Sequence, residues 1–136
     1  MTPLQYVYVY LATVPIFFAV DMIWLGLIAK NIYREYLGYL LRDPINWSAA
    51  LIFYFIFIVG LLYFAIIPAL KEGSLMHAAL YGALFGFFTY ATYDLTNLAT
   101  VKDWPLTISL IDMAWGTVLS AVVASLSFLA ARTFIL

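Results

Sequence analysis

Three aspartates, Asp21, Asp94 and Asp112, lie inside long apolar stretches of the sequence. Trp24 and Trp115 follow the first and the last of them by three residues, about one helical turn, so their indole N–H groups could donate to a carboxylate. Three more polar side chains stand near the middle aspartate, and these are Tyr90, Thr96 and Asn97. These eight residues form the candidate site for binding a ligand or a cation.

No Lys or Arg lies within the apolar stretches to neutralise these acids. Three carboxylates in a low-dielectric environment cannot all stay charged without a compensating cation. The positive charge could come from protons, from a ligand ammonium, or from basic side chains at the ends of the stretches. It could also come from a metal or sodium ion held by Asp21, Asp94 and Asp112. The sequence leaves these sources open and names no cofactor.

The composition excludes several classes of protein. The chain has 136 residues, 67% hydrophobic and 10% charged, with a mean hydropathy of +1.05, so an ordinary soluble domain is excluded. A net charge of −1 without a basic run predicts no nucleic-acid partner. The chain has no Cys and one His, which excludes thiolate metal sites and His-rich sites within a single subunit.

Four apolar stretches organise the chain, at residues 4–29, 49–70, 76–101 and 105–131. Each exceeds the roughly 20 residues that cross a hydrocarbon core. Apolar positions also recur at helical spacing over residues 31–42, opposite a polar face, which predicts a short amphipathic helix at the membrane interface. The sequence therefore predicts an all-α integral membrane protein, with four transmembrane helices in one antiparallel bundle and an interfacial helix between helices 1 and 2.

The three aspartates fall at the same depth in this bundle. Asp21 lies eight residues before the end of its stretch, Asp94 seven before its end, and Asp112 seven after its start. At 1.5 Å per residue each lies about 10 to 12 Å from the helix end. Because consecutive helices alternate in direction, all three ends are on the side of the first and third loops. Small residues four apart, Gly82 and Gly86, and likewise Gly116 and Ser120, predict close helix contact within one subunit.

Basic residues predict the orientation. The first and third loops together carry Lys30, Arg34, Arg42 and Lys102, whereas the opposite side carries Lys71 and Arg132. Positive charge concentrates on the cytoplasmic side of membrane proteins. We therefore expect these two loops in the cytoplasm and both termini outside.

Four segments carry a resemblance to a known family: YDLTNLAT at 93–100, WP at 104–105, DMAWG at 112–116 and DMIWLG at 21–26. Together they resemble a bacterial family of predicted integral membrane proteins, domain of unknown function 2177, over nearly the whole chain. The resemblance implies a small four-helix protein of the bacterial inner membrane. It implies no activity, substrate or cofactor.

Three functions fit these features. The first is binding or transport of a proton, a metal ion or an amphiphilic cation. The second is a membrane enzyme that acts on a lipid or isoprenoid-like substrate by carboxylate acid–base catalysis. The third is a structural accessory subunit whose acids only hold helices together. The partners expected are membrane lipid and a small lipophilic or cationic ligand, and the pattern leaves a homo-oligomer open.

Overall fold

The chain folds into five helices joined by short connections. The computed structural model describes residues 1–136. The helices are α1 (Pro3–Ile28), α2 (Ile32–Leu37), α3 (Trp47–Glu72), α4 (Leu75–Thr100) and α5 (Leu106–Phe134). Side chains cap three of the four long helices at their first turns, since Thr2, Asn46 and Ser74 accept hydrogen bonds from backbone N–H groups of α1, α3 and α4. Gly73 ends α3 in the left-handed conformation that favours glycine.

Three of these helices, α1, α3 and α5, are long and apolar enough to cross a membrane. The fold is therefore that of a multi-pass membrane protein. The stretch predicted as the third span is also a helix, α4, and its 26 residues match α1 and α3 in length. It is less apolar than the other three because it carries several Tyr, Thr and Gly residues as well as Asp94 and Asn97.

The predicted boundaries agree with the long helices to within three residues. The short helix differs more. Residues 31–42 were expected to form one amphipathic helix, but α2 ends at Leu37 and residues 38–40 form a turn. Gly38 occupies the C-cap of α2, and glycine costs about 1 kcal/mol relative to alanine in a helix interior. The last predicted turn is therefore not helical.

Two of the long helices contain a π-helical turn, which the sequence did not predict. Trp24–Ile28 forms the end of α1, and Leu62–Ile66 lies in the middle of α3. In the first, the backbone N–H of Ala29 donates to the carbonyl of Trp24, five residues earlier. Such turns are frequent at functional sites. The first of them begins three residues after Asp21.

The hydrophobic core fills the half of the bundle that lies toward the α3–α4 loop. Sixteen buried residues form it, among them Phe17, Ile58, Leu61, Leu119 and Phe128. The opposite half, toward the α1–α3 connection and the α4–α5 turn, contains the three aspartates instead. The bundle is thus divided into an apolar half and a half that holds polar groups.

The most extensive helix contact is the seam between α4 and α5. Gly82 lies against Ser120 and Ala124, whereas Gly86 lies against Gly116 and Ser120, which is the register of two antiparallel helices. The prediction that these small residues pack within one subunit is confirmed. The glycines have no side chain, and the serine and alanine have small ones, so the two backbones approach closely.

We expect Gly86→Ala to lower the free energy of unfolding by about 1–3 kcal/mol, because the added methyl group would collide with Gly116 and Ser120. The control is Gly26→Ala, where a methyl group would meet no atom within 4 Å. Unfolding in detergent, followed by circular dichroism, measures both. Equal stability of the two variants would contradict this account of the seam.

Candidate functional site

A cavity of about 470 Å³ occupies the polar half of the bundle. Sixteen residues line it, and twelve of them are hydrophobic or aromatic. The other four are Thr89 and the three aspartates, Asp21, Asp94 and Asp112. No Lys or Arg belongs to the lining, so the acids have no basic side chain beside them.

Asp21 projects from α1 and is almost fully buried. The indole Nε1 of Trp115 on α5 donates to its Oδ1 at 3.3 Å. The hydroxyl of Tyr54 on α3 also faces this carboxyl group. The acid is therefore held by a donor from another helix rather than by one from its own.

Asp112 on α5 accepts a hydrogen bond from the hydroxyl of Tyr33 at 2.8 Å. That hydroxyl in turn accepts a hydrogen bond from the indole Nε1 of Trp24 at 3.1 Å. Burial raises the pKa of the Tyr33 hydroxyl above its ordinary value, and the negative charge of Asp112 raises it further. The hydroxyl therefore keeps its proton at neutral pH and stays a donor to Asp112.

Asp94 is the most deeply buried of the three acids, with 1% of its surface exposed. Its carboxyl group lies near that of Asp112. Its Oδ2 is buried without a hydrogen-bond partner. A hydrogen bond between two carboxyl groups requires that one of them carry a proton.

Two tryptophan rings form one wall of the cavity. Trp24 on α1 and Trp115 on α5 stack with their ring centroids 4.5 Å apart and their planes 8° from parallel. Each ring lies one turn beyond the aspartate of its own helix, yet neither indole donates to that aspartate. Stacking across the two helices instead directs the hydrogen bond of Trp115 to Asp21 and that of Trp24 to Tyr33.

The structure brings together six of the eight predicted site residues: Asp21, Trp24, Tyr90, Asp94, Asp112 and Trp115. Thr96 and Asn97 do not line the cavity. Thr96 lies two residues beyond Asp94, about 200° around the helix, and its hydroxyl donates to backbone carbonyls of α4. Asn97 lies one turn beyond Asp94 toward the end of α4, and its side chain is close to the Tyr93 hydroxyl.

The three acids do not form a preformed metal centre. No group of three or more His, Cys, Asp or Glu side chains is arranged to hold a metal ion. Asp21 and Asp112 are held by separate aromatic donors, Trp115 and Tyr33. The three acids therefore line one cavity without forming one coordination sphere.

Sequence reasoning missed several aromatic residues of the site, above all Tyr33 and Tyr54. Tyr33 lies on the apolar face of the predicted short helix, and a helix of this kind must cover something. That was the available signal. No such signal was available for Tyr54, because nothing in the apolar run of α3 shows which face of this helix lies against an acid on α1.

The fold and the cavity define a multi-pass helical membrane protein with buried carboxyl groups between its helices. Residues 6–129 match a family described as predicted membrane protein, DUF2177, and the chain belongs to this family. This confirms the resemblance found in the sequence. Comparisons with curated proteins and with solved structures gave no match.

We expect Tyr33→Phe to lower the free energy of unfolding by about 1.5–3 kcal/mol, the range for hydrogen bonds to charged groups. The change leaves Asp112 without its donor and the Trp24 indole without its acceptor. Tyr36→Phe is the matched control on the same short helix, because the Tyr36 hydroxyl makes no hydrogen bond. Thermal unfolding of both variants in detergent provides the measurement, and identical melting temperatures would show that the Tyr33 hydrogen bonds contribute nothing.

Proposed function

We propose that this protein binds an amphiphilic organic cation, with the positive group at the aspartates and the apolar part along the aromatic wall. The observation that carries the proposal is the cavity lining, which combines three acids with twelve hydrophobic residues and contains no basic side chain. A ligand that is cationic at one end and apolar elsewhere complements both parts of this lining.

The charge of the site supports a cationic ligand. Buried carboxylates are costly unless a positive group or hydrogen-bond donors compensate them. Asp21 and Asp112 each have an aromatic donor, but Asp94 Oδ2 has none. A ligand cation beside Asp94 and Asp112 would supply the compensating charge, and a cation with an N–H group would also supply the missing donor.

The aromatic wall supports an organic cation over a bare ion. The stacked rings of Trp24 and Trp115, with Tyr54 and Tyr90, line the same cavity as the acids. The faces of aromatic rings attract ammonium groups, most strongly where water is excluded. Mg²⁺ and Ca²⁺ instead take six or more oxygen ligands, and no group of acids in the protein is arranged to hold a metal ion.

The setting that we propose is the bacterial inner membrane, with four spans and the first and third loops in the cytoplasm. α4 would be the fourth span, since it matches α1 and α3 in length and packs along α5. Its one ionisable residue in the second half, Asp94, is covered by the bundle. α2 would lie at the cytoplasmic interface, above the cavity.

The test is binding of decyltrimethylammonium to the protein in nanodiscs, measured by equilibrium dialysis against empty nanodiscs. We expect saturable binding, and we expect Asp94→Asn/Asp112→Asn to weaken it at least tenfold, which corresponds to about 1.4 kcal/mol. Decyl sulfate, with the same chain and the opposite charge, should not bind. Asp43→Asn is the control, because Asp43 is exposed in the α2–α3 connection outside the cavity. Equal binding by the double variant would exclude the aspartates as the cation site.

A second candidate function is acid–base catalysis on the chain of a lipid or isoprenoid-like molecule. The contact between the carboxyl groups of Asp94 and Asp112 favours it, because one can hold a proton while the other accepts one. One carboxyl would donate its proton to a carbon of a double bond, and the other would remove a proton from the carbon on the far side of the resulting cation. The double bond moves, the atoms balance, and no co-reactant is needed.

This second function predicts a changed ratio of double-bond positional isomers among the membrane lipids of a deletion strain. The wild-type gene should restore the ratio, whereas a gene that encodes Asp94→Asn should not, and the Asp43→Asn gene should restore it fully. Mass spectrometry of extracted lipids measures the ratio. An unchanged lipid profile in the deletion strain would exclude this reaction.

A further inference from the structure

The mouth of the cavity is apolar. Four of the lining residues are more than a third exposed, between 37% and 57%, and these are Leu25, Leu41, Phe53 and Tyr93. None of them is charged. The aspartates lie behind this rim, with Asp94 almost fully buried. A mouth that opened into water would expose apolar side chains at a cost, whereas one that opens into hydrocarbon would not.

Two of the rim residues lie well inside the ends of their helices. Phe53 is six residues from the start of α3 and Tyr93 is seven from the end of α4, so each lies about 9 to 10 Å along its helix. With both helices spanning the bilayer, this part of the mouth is at the level of the lipid chains. Phe53 and Tyr93 flank the gap between α3 and α4.

The packing of α3 explains why this gap exists. The backbone contacts of α3 with α4 are most extensive at the π-helical turn Leu62–Ile66, whereas the first half of α3, Trp47–Leu61, makes few. The ring of Phe85 lies against Phe57 and Gly60 and closes the end of the gap that lies toward the α3–α4 loop. Further toward the α2–α3 connection, the ring of Phe57 also meets that of Tyr90 on α4, with the centroids 6.2 Å apart.

The side of the cavity toward the loops is covered in part by α2. Leu37 of α2 is buried over it, and the Tyr33 hydroxyl bonds to Asp112 of α5. Beyond the end of α2, the hydroxyl of Tyr39 donates to the backbone carbonyl of Asp103 in the α4–α5 turn. These contacts hold residues 33–39 in place across the loop end of the bundle, next to the cavity.

We propose that the gap between α3 and α4 is a lateral portal, and that the ligand is a single-chain membrane amphiphile with a cationic head. The head lies at Asp94 and Asp112, and the alkyl chain passes between Phe53 and Tyr93 into the bilayer. This inference rests on the proposed cation binding and adds the class of ligand and its route. A cavity of about 470 Å³ then has to hold only the head and the first part of the chain.

The test uses single cysteines, which is clean because the chain has none. Phe53→Cys and Tyr93→Cys are placed at the portal, and Phe88→Cys is the control on α4, exposed but outside the cavity. Each variant in nanodiscs is treated with a lipid-soluble N-alkylmaleimide, alone and with decyltrimethylammonium or tetramethylammonium. Dialysis on the same samples measures the binding of each cation.

We expect decyltrimethylammonium to slow modification of the two portal cysteines at least fivefold and to leave the control unchanged. Tetramethylammonium, which has no chain, should protect neither portal cysteine. Binding of decyltrimethylammonium without protection would overturn the portal and leave the proposed cation site standing. Absence of binding would overturn the proposed function and this inference with it. Rapid modification of the portal cysteines by a charged, water-soluble maleimide would also overturn the portal, because it would place the mouth in water.

Discussion

The burial of carboxyl groups among apolar helices is the constraint on which the rest of this structure depends. Each buried acid needs a donor or a cation, and in this protein the donors are aromatic side chains on other helices: Trp115 for Asp21 and Tyr33 for Asp112. These hydrogen bonds connect α1, α2 and α5 around the cavity. Asp94 is the exception, because one of its oxygens has no partner in the protein. The proposed cationic ligand would supply the partner that this oxygen lacks.

The division of the bundle into two halves follows from the same constraint. The half with the apolar core is closely packed, and glycines in the α4–α5 seam bring the backbones of these helices together. The half with the acids is held by fewer and more specific contacts, and α3 lies away from α4 there. A helix pair that is tight at one end and open at the other creates a cavity without a long loop. Membrane proteins commonly place polar groups in such interior spaces rather than toward lipid.

Much of the site was predictable because the relevant signals are local. An aspartate within an apolar run is conspicuous at once, and counting residues from each helix end is enough to place Asp21, Asp94 and Asp112 near one level. The hydrogen-bond partners were not predictable, because they depend on how helices rotate about their axes. A rotation of α1 by tens of degrees decides whether the Trp24 indole reaches Asp21 of its own helix or Tyr33 of α2. Thr96 and Asn97 were included by proximity in the sequence, but helical periodicity turns Thr96 away from the cavity.

The sequence by itself determined the all-helical class, the positions of the long helices and the family, because runs of apolar residues and their interruptions fix where a helix can begin and end in lipid. Only the tertiary structure decided the stacking of Trp24 on Trp115, the place of Tyr33 and the few contacts between the first half of α3 and α4. These features arise from the relative rotation and separation of helices. When a helix is apolar on every face, its sequence does not show how it is rotated against its neighbours. Packing decides the rotation, and packing depends on residues far apart in the chain.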